Sequence, residues 1–180
     1  GASIRTTSTL TLGGGGALTQ TGEVIAGTGT TTIDVGANAI TLTDADNDFA
    51  TITITNGNNV ELTDANSMAL ASATFGGTLT LNAITGAING SGGGPHITGN
   101  ALIADADTGI GSGTQLSLSG VDSIDADVAT GGNIDITNAA DAAVTVVSMT
   151  TLGASTIGYT QTGNQTLALT TVSAADGDVT

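Results

Sequence analysis

The 180-residue chain carries a net charge of −15, because its acidic residues are opposed by a single arginine and no lysine. Such a surface lacks the cations that neutralise phosphates, which excludes nucleic acids and anionic membrane surfaces as partners. Cysteine is absent, which excludes a disulfide framework, and no apolar run reaches the ~18 residues of a membrane-inserted helix.

The first elements are a strand and a glycine turn. In STLTL at 8–12, Leu10 and Leu12 alternate with threonine, so one face points inward and the other outward. GGGG at 13–16 predicts a turn, and 18–27 is predicted to form a less regular coil.

The most regular stretch is 30–82, where ITLTDADN at 40–47 recurs as VELTDANS at 60–67. Apolar pairs at i and i+2, which share one face of a strand, recur every 19 or 20 residues. Each coil of that length buries only a short stripe, so it needs the next coil stacked on it. The spacing predicts a parallel β-solenoid of about 19–20 residues per coil, or roughly nine coils. The pairs that carry this pattern are Ile33/Val35, Ile40/Leu42, Ile52/Ile54, Val60/Leu62 and Leu79/Leu81.

Beyond residue 83 the regularity loosens. The segment 84–100 contains the only proline and the only histidine, and it predicts an irregular loop. Apolar pairs then resume at Leu116/Leu118 and Ile134/Ile136, so residues 1–180 are predicted to form one continuous solenoid. No long segment has a 3.6-residue apolar period, and we expect essentially no helix.

Asp44, Asp46 and Asp48 form a D-x-D-x-D string of the kind that supplies oxygen ligands to calcium. The EF-hand loop also needs a glycine and a glutamate, and here those positions hold Phe49 and Thr55. The alternative is an Asx-rich turn whose side chains bond the local backbone, with Phe49 packing inward. The same two interpretations apply to Asp105/Asp107 and to Asp122/Asp125/Asp127.

Catalysis receives little support from the residue types. The single arginine lies near the amino terminus, and His96 stands alone in a glycine-rich stretch, where a solvated loop histidine is expected. General acid–base catalysis by two carboxylates stays open, but nothing singles out a pair. We therefore expect a protein that is not an enzyme and that has no cofactor apart from the calcium alternative.

Threonine follows a second pattern. Thr41/Thr43, Thr51/Thr53/Thr55 and Thr78/Thr80 are predicted to point outward from successive strands. Outward T-x-T ladders on a solenoid resemble those of ice-binding proteins. The alternative is that threonine, being β-branched and polar, simply suits exposed strand positions.

Three passages carry a family resemblance: LTQTG at 18–22, TTTIDVGANAITLTDADNDF at 30–49 and NNVELTDANSMALASATFGGTLTLNA at 58–83. They resemble the repeat regions of filamentous-haemagglutinin-type exoproteins and bacterial autotransporter adhesins. Asn47-Asp48-Phe49 matches the family's N-D-F element, and Gly36 matches its glycine before the strand. The resemblance implies a right-handed parallel β-helix, an extracellular place on the surface of a Gram-negative bacterium, and a role in adhesion, aggregation or biofilm.

The four letters TQTG occur at 19–22 and again at 160–163, which predicts that a second copy of a longer module starts near 158. From this we expect the chain to be a fragment of a longer repeat protein, whose neighbouring copies or repeats join end to end. Surface glycans or proteins are expected as further partners. Two alternatives stay open at this point. One is a filament subunit with a β-sandwich fold joined by strand addition, and the other is an ice- or glycan-binding face on the solenoid.

Overall fold

The computed structural model describes residues 1–180 and consists of strands and turns without any helix, as the apolar pattern predicted. No helix long and apolar enough to cross a membrane is therefore present. The twenty strands are β1 (Ile4–Arg5), β2 (Leu10–Gly13), β3 (Leu18–Thr19), β4 (Val24–Ile25), β5 (Thr30–Asp34), β6 (Ile40–Leu42), β7 (Thr51–Gly57), β8 (Val60–Asp64), β9 (Met68–Phe75), β10 (Thr78–Ala83), β11 (Ile88–Gly90), β12 (Ile97–Thr98), β13 (Ala101–Ala106), β14 (Leu116–Ser119), β15 (Ser123–Val128), β16 (Ile134–Ala139), β17 (Val144–Thr151), β18 (Ile157–Thr162), β19 (Leu167–Leu169) and β20 (Val172–Ala174).

Two long sheets run the length of the molecule. Sheet I contains β2, β5, β7, β9, β12, β14, β16 and β18 in order, with β11 also on β9. Sheet II contains β3, β6, β8, β10, β13, β15, β17 and β19, with β20 also on β17. The chain alternates between the sheets, and a short third pair, β1 with β4, lies beside the first coils.

Every strand pair is parallel, for example β8 with β10 and β5 with β7. Parallel partners need a crossover rather than a hairpin, and here the crossover is the rest of the coil. The predicted parallel β-solenoid is confirmed. The β-sandwich alternative is wrong, because a sandwich is built from antiparallel hairpins.

The interior columns follow the register that the repeat predicted. Ile40 lies beside Val60, and Val60 lies beside Leu79. Leu62 is in register with Leu42 on one side and Leu81 on the other. All six side chains are at most 1% exposed. This aliphatic ladder belongs to one continuous cluster of 36 buried residues, so each coil is stabilised mainly by its neighbours.

Coil length is less uniform than the sequence predicted. The step from Ile40 to Val60 is 20 residues, but the step from Leu79 to Leu102 is 23. Most later coils have 20 to 23 residues, so the chain completes about eight turns rather than nine. The extra residues lie in turns and at β-bulges, which the stack absorbs without losing its interior columns.

The segment 84–100 contains two short strands, β11 and β12, on either side of a turn with a cis peptide bond at Gly94-Pro95. His96 directly precedes β12 and is only 3% exposed. The prediction of a solvated loop histidine is therefore wrong. The backbone explains the burial, because His96 N donates to Ser117 O and His96 O accepts from Ala73 N, which holds the residue between two coils.

The two copies of TQTG lie on different sheets. Thr19 ends β3 of sheet II, whereas Thr160 lies in β18 of sheet I. Their separation therefore does not correspond to a whole number of coils. The two TQTG copies therefore do not occupy equivalent positions in this fold. The second copy of a longer module, expected to start near 158, stays a prediction.

Candidate functional site

The D-x-D-x-D string forms a turn at the end of β6. Asp44 Oδ1 accepts a hydrogen bond from Asp46 N at 3.1 Å, which is an Asx turn. Asp48 Oδ1 accepts from the Asn66 side-chain amide at 3.2 Å on the next coil. No three acidic or histidine side chains come together as a group that could hold a metal ion. The Asx-turn interpretation is confirmed, and calcium binding at Asp44, Asp46 and Asp48 stays a prediction.

The residue between these carboxylates, Asn47, is fully buried and joins three successive coils. Its Oδ1 accepts from Val24 N and from the Gln20 side-chain amide, both at 2.8 Å. Its Nδ2 donates to Leu42 O at 3.2 Å and Thr63 O at 3.1 Å. Since unpaired buried backbone groups are costly, this network stabilises the turn. Phe49, also fully buried, packs inward as predicted.

Asp64, twenty residues after Asp44, has no exposed surface. Its Oδ2 accepts from Phe49 N at 2.5 Å, and its Oδ1 accepts from Asn66 N at 2.8 Å. Burial outweighs these two hydrogen bonds and, with a smaller contribution from the charge of Asp48, raises the pKa of Asp64 to about 6. The sequence repeat could not indicate this burial. Asp44 and Asp64 occupy equivalent positions in the repeat, yet Asp44 is partly exposed and Asp64 is buried.

A second acidic group lies on the outward face of sheet II. Asp105 is the direct register partner of Asp127, and Asp125 lies two residues before Asp127 on the same face. Burial, followed by the charge of Asp127, raises the pKa values of Asp105 and Asp125. Asp127 Oδ1 accepts from the hydroxyls of Ser148 at 2.8 Å and Thr150 at 2.6 Å. The group therefore places like charges next to one another, and the hydroxyls of Ser148 and Thr150 hydrogen-bond to one of them.

The only histidine contacts a serine. Ser117 N donates to His96 Nδ1 at 3.1 Å, and Ser117 Oγ lies 3.0 Å from the same nitrogen. Because Nδ1 accepts the backbone amide, the ring proton lies on Nε2, which is buried and has no partner. A nucleophile–base pair needs a third group that orients the base. Here the contact between His96 and Ser117 instead joins the end of the 84–100 segment to β14.

The predicted T-x-T positions do not share one face. Thr41 and Thr80 lie on sheet II, whereas Thr51 and Thr53 lie on sheet I. These residues therefore form no single ladder, because alternate T-x-T pairs belong to alternate sheets. Sheet I instead aligns Thr11, Thr32 and Thr53 as direct register partners. Their constant 21-residue spacing is the signal that could have revealed this row.

The last coil presents an apolar surface. Leu167, Leu169 and Val179 are 38%, 58% and 55% exposed. They surround a hollow whose other apolar lining residues are Val146, Met149, Ile157, Tyr159 and Val172. The same aliphatic columns that form the core elsewhere reach solvent here.

Comparison with known protein families gives a match over the first coils. A family model described as repeats of unknown function (DUF5649) matches residues 2–56. These residues are similar to that repeat family. The matched segment covers β1 to β6 and all of β7 except its last residue, and so includes the Asn47 turn. No functionally curated protein matches the chain. No solved structure matches it either.

Proposed function

We propose that the chain is a structural and adhesive segment of a secreted bacterial surface protein, without catalytic activity. The observation that carries the proposal is the stack of about eight parallel coils around one continuous aliphatic core. At about 4.8 Å per coil, such a stack extends a surface by roughly 40 Å and lengthens simply by adding coils. This architecture suits a spacer that holds a binding surface away from the cell.

Two further observations support an adhesive repeat. The similarity of residues 2–56 to a repeat family fits a protein built from many coils. The resemblance to filamentous-haemagglutinin-type and autotransporter adhesins includes the Asn47-Asp48-Phe49 element. Two residues of this element pack the coils together: Asn47 hydrogen-bonds to the coils on either side, and Phe49 is buried in the core.

Neighbouring copies or repeats are the partners that this proposal implies. Leu167, Leu169 and Val179 present aliphatic surface at the last coil, in line with the core columns. Burying that surface against another coil would be favourable, at roughly 25 cal/mol per Å². The net charge of −15 opposes association, so added salt should strengthen it by screening.

The test displays the chain on the outer membrane of a non-aggregating bacterial strain. We expect the displayed chain to increase cell settling and retention on abiotic or glycan-coated surfaces. Leu62→Asp, which breaks the core, serves as the unfolded control at matched display level. Settling and retention equal to those of this control would contradict the proposal.

A further inference from the structure

The outward face of sheet I carries aligned hydroxyl rows. Thr11, Thr32 and Thr53 are direct partners in successive strands, and Ser72 continues the row on β9. A second row places Thr30 beside Thr51. Adjacent strands lie about 4.8 Å apart and alternate residues about 6.7 Å apart, so these rows form a regular two-dimensional array.

The array continues in the later coils, beyond the interruption at Pro95. On β12, β14, β16 and β18 of sheet I, outward positions again align by register in two rows. One row contains Ser117, Thr137 and Thr160, and the other contains Thr98, Ser119, Ala139 and Thr162. The hydroxyl face therefore spans nearly the whole length of the molecule, although the sequence shows no single T-x-T motif in every coil.

Charge is distributed unequally between the two faces. The strands of sheet II point Glu61, Asp105, Asp125 and Asp127 outward. Those of sheet I present Asp135, and Asp34 at the end of β5. In a chain with a net charge of −15, the sheet I face is thus less charged than the sheet II face, and a neutral partner fits it better.

The chemistry of the rows selects among neutral partners. A threonine hydroxyl both donates and accepts hydrogen bonds, and its branched side chain is stiff at χ1, so the oxygens keep a fixed spacing. Sugar rings usually stack on aromatic side chains, but Phe49 and Phe75 are buried and Tyr159 lies on the inward face of β18. Crystalline water is neutral, and each of its molecules also both donates and accepts, so a regular array of fixed hydroxyls can hydrogen-bond to an ice surface.

We propose that the outward face of sheet I binds ice through its hydroxyl rows, including the row of Thr11, Thr32 and Thr53 on the first three strands. This activity is separate from the adhesive role, since it depends on one face rather than on association or cell contact. Failure of one proposal therefore leaves the other standing.

The experiment uses the full 180-residue chain and two matched double variants. Thr32→Tyr with Thr53→Tyr places bulk on sheet I, and Thr41→Tyr with Thr80→Tyr does the same on sheet II. All four residues are partly exposed strand positions. We expect the wild-type chain and the sheet II variant to inhibit ice recrystallisation and to enter ice grown slowly from dilute solution, and the sheet I variant to lose both activities.

Circular dichroism and thermal melting verify that both variants fold. If the sheet I variant does not fold, Thr11→Tyr with Thr160→Tyr, at more exposed positions of the same face, replaces it. Exclusion of the folded wild-type chain from ice, or equal loss in folded variants of both sheets, would overturn the proposal. Retention on crystalline cellulose that the sheet I variant abolishes, without any effect on ice, would overturn it in favour of a neutral polysaccharide.

Discussion

The turn at 44–47 and the turn at 64–67 have nearly the same sequence but different environments. In both, the aspartate accepts a hydrogen bond from the amide two residues later. In the first turn Asn47 reaches back to Val24 N, whereas in the second turn Asp64 reaches back to Phe49 N. A turn must satisfy an amide of the preceding coil, and either its first or its fourth residue can do so.

The consequence is a difference in which side chain is buried. Asn47 and Asp64 have no exposed surface, while their counterparts Ser67 and Asp44 are exposed and partly exposed. An amide buried with its hydrogen bonds satisfied stays neutral, whereas a buried carboxyl acquires a raised pKa. The two turns should therefore respond differently to mutation and to pH.

The largest loss of stability is expected from a charged substitution in the aliphatic core against which both turns pack. Leu62→Asp places a charge in the dry aliphatic column between Leu42 and Leu81 and should lower the free energy of unfolding by about 5 kcal/mol. Thermal melting measures the change. Thr80→Asp, a partly exposed position on the same sheet, is the control and should change stability far less. An unchanged melting temperature for Leu62→Asp would show that this column is not interior.

Removing the amide of the first turn comes next. Asn47→Ala leaves Val24 N, Leu42 O and Thr63 O without their partner, and should lower the free energy of unfolding by about 3 kcal/mol. Ser67→Ala removes one hydrogen bond, to Ala87 N, and should lower it by about 1 kcal/mol. Chemical denaturation of both variants measures the difference. Equal losses would mean that the two turns are interchangeable.

The pH dependence reports on the buried aspartate of the second turn. The raised pKa of Asp64, about 6, means that its contribution to stability is fully present below its unfolded value of 3.8 and is lost as pH rises through 6. Stability should thus increase on acidification from pH 7 to pH 4, with Asp64 contributing roughly 2 kcal/mol. The raised pKa values of Asp105 and Asp125 act in the same direction.

Asp64→Asn tests this assignment directly. It should flatten the pH profile because the titrating group is removed. Its Nδ2 cannot accept from one of the two backbone amides that the Asp64 carboxyl serves, so the variant should also be less stable than the wild-type chain at pH 4. Melting temperatures recorded between pH 4 and pH 7 provide the comparison. A profile that keeps its slope in Asp64→Asn would assign the effect to other carboxylates.

The smallest effect concerns cations at the first turn. Because Asp44 Oδ1 is engaged with Asp46 N and no three-residue metal group forms, we expect calcium to stabilise the chain only by screening its charge. Micromolar calcium should then have no more effect on melting than sodium at equal ionic strength. A calcium-specific increase that Asp46→Asn removes would establish the site at Asp44, Asp46 and Asp48.

The sequence by itself determined the local geometry of this protein. Period-2 apolar pairs define which side chains of a strand point inward, and the 19- to 20-residue repeat predicts both parallel coils and the columns through Ile40 and Leu42. These conclusions rest on spacing along the chain, and a strand converts that spacing directly into a face. The exclusion of helix followed from the same pattern.

The tertiary structure decided what depends on neighbouring coils. Coil length after residue 83 depends on turns and bulges, whose extra residues leave no periodic signal. Whether Asp44 or Asp64 is buried depends on an amide donated by the preceding coil, and the burial of His96 depends on the strands on either side of it. The threonines of sheet I form rows only because the register aligns them, since the chain alternates between two sheets and sequence spacing alone does not reveal which one a strand joins.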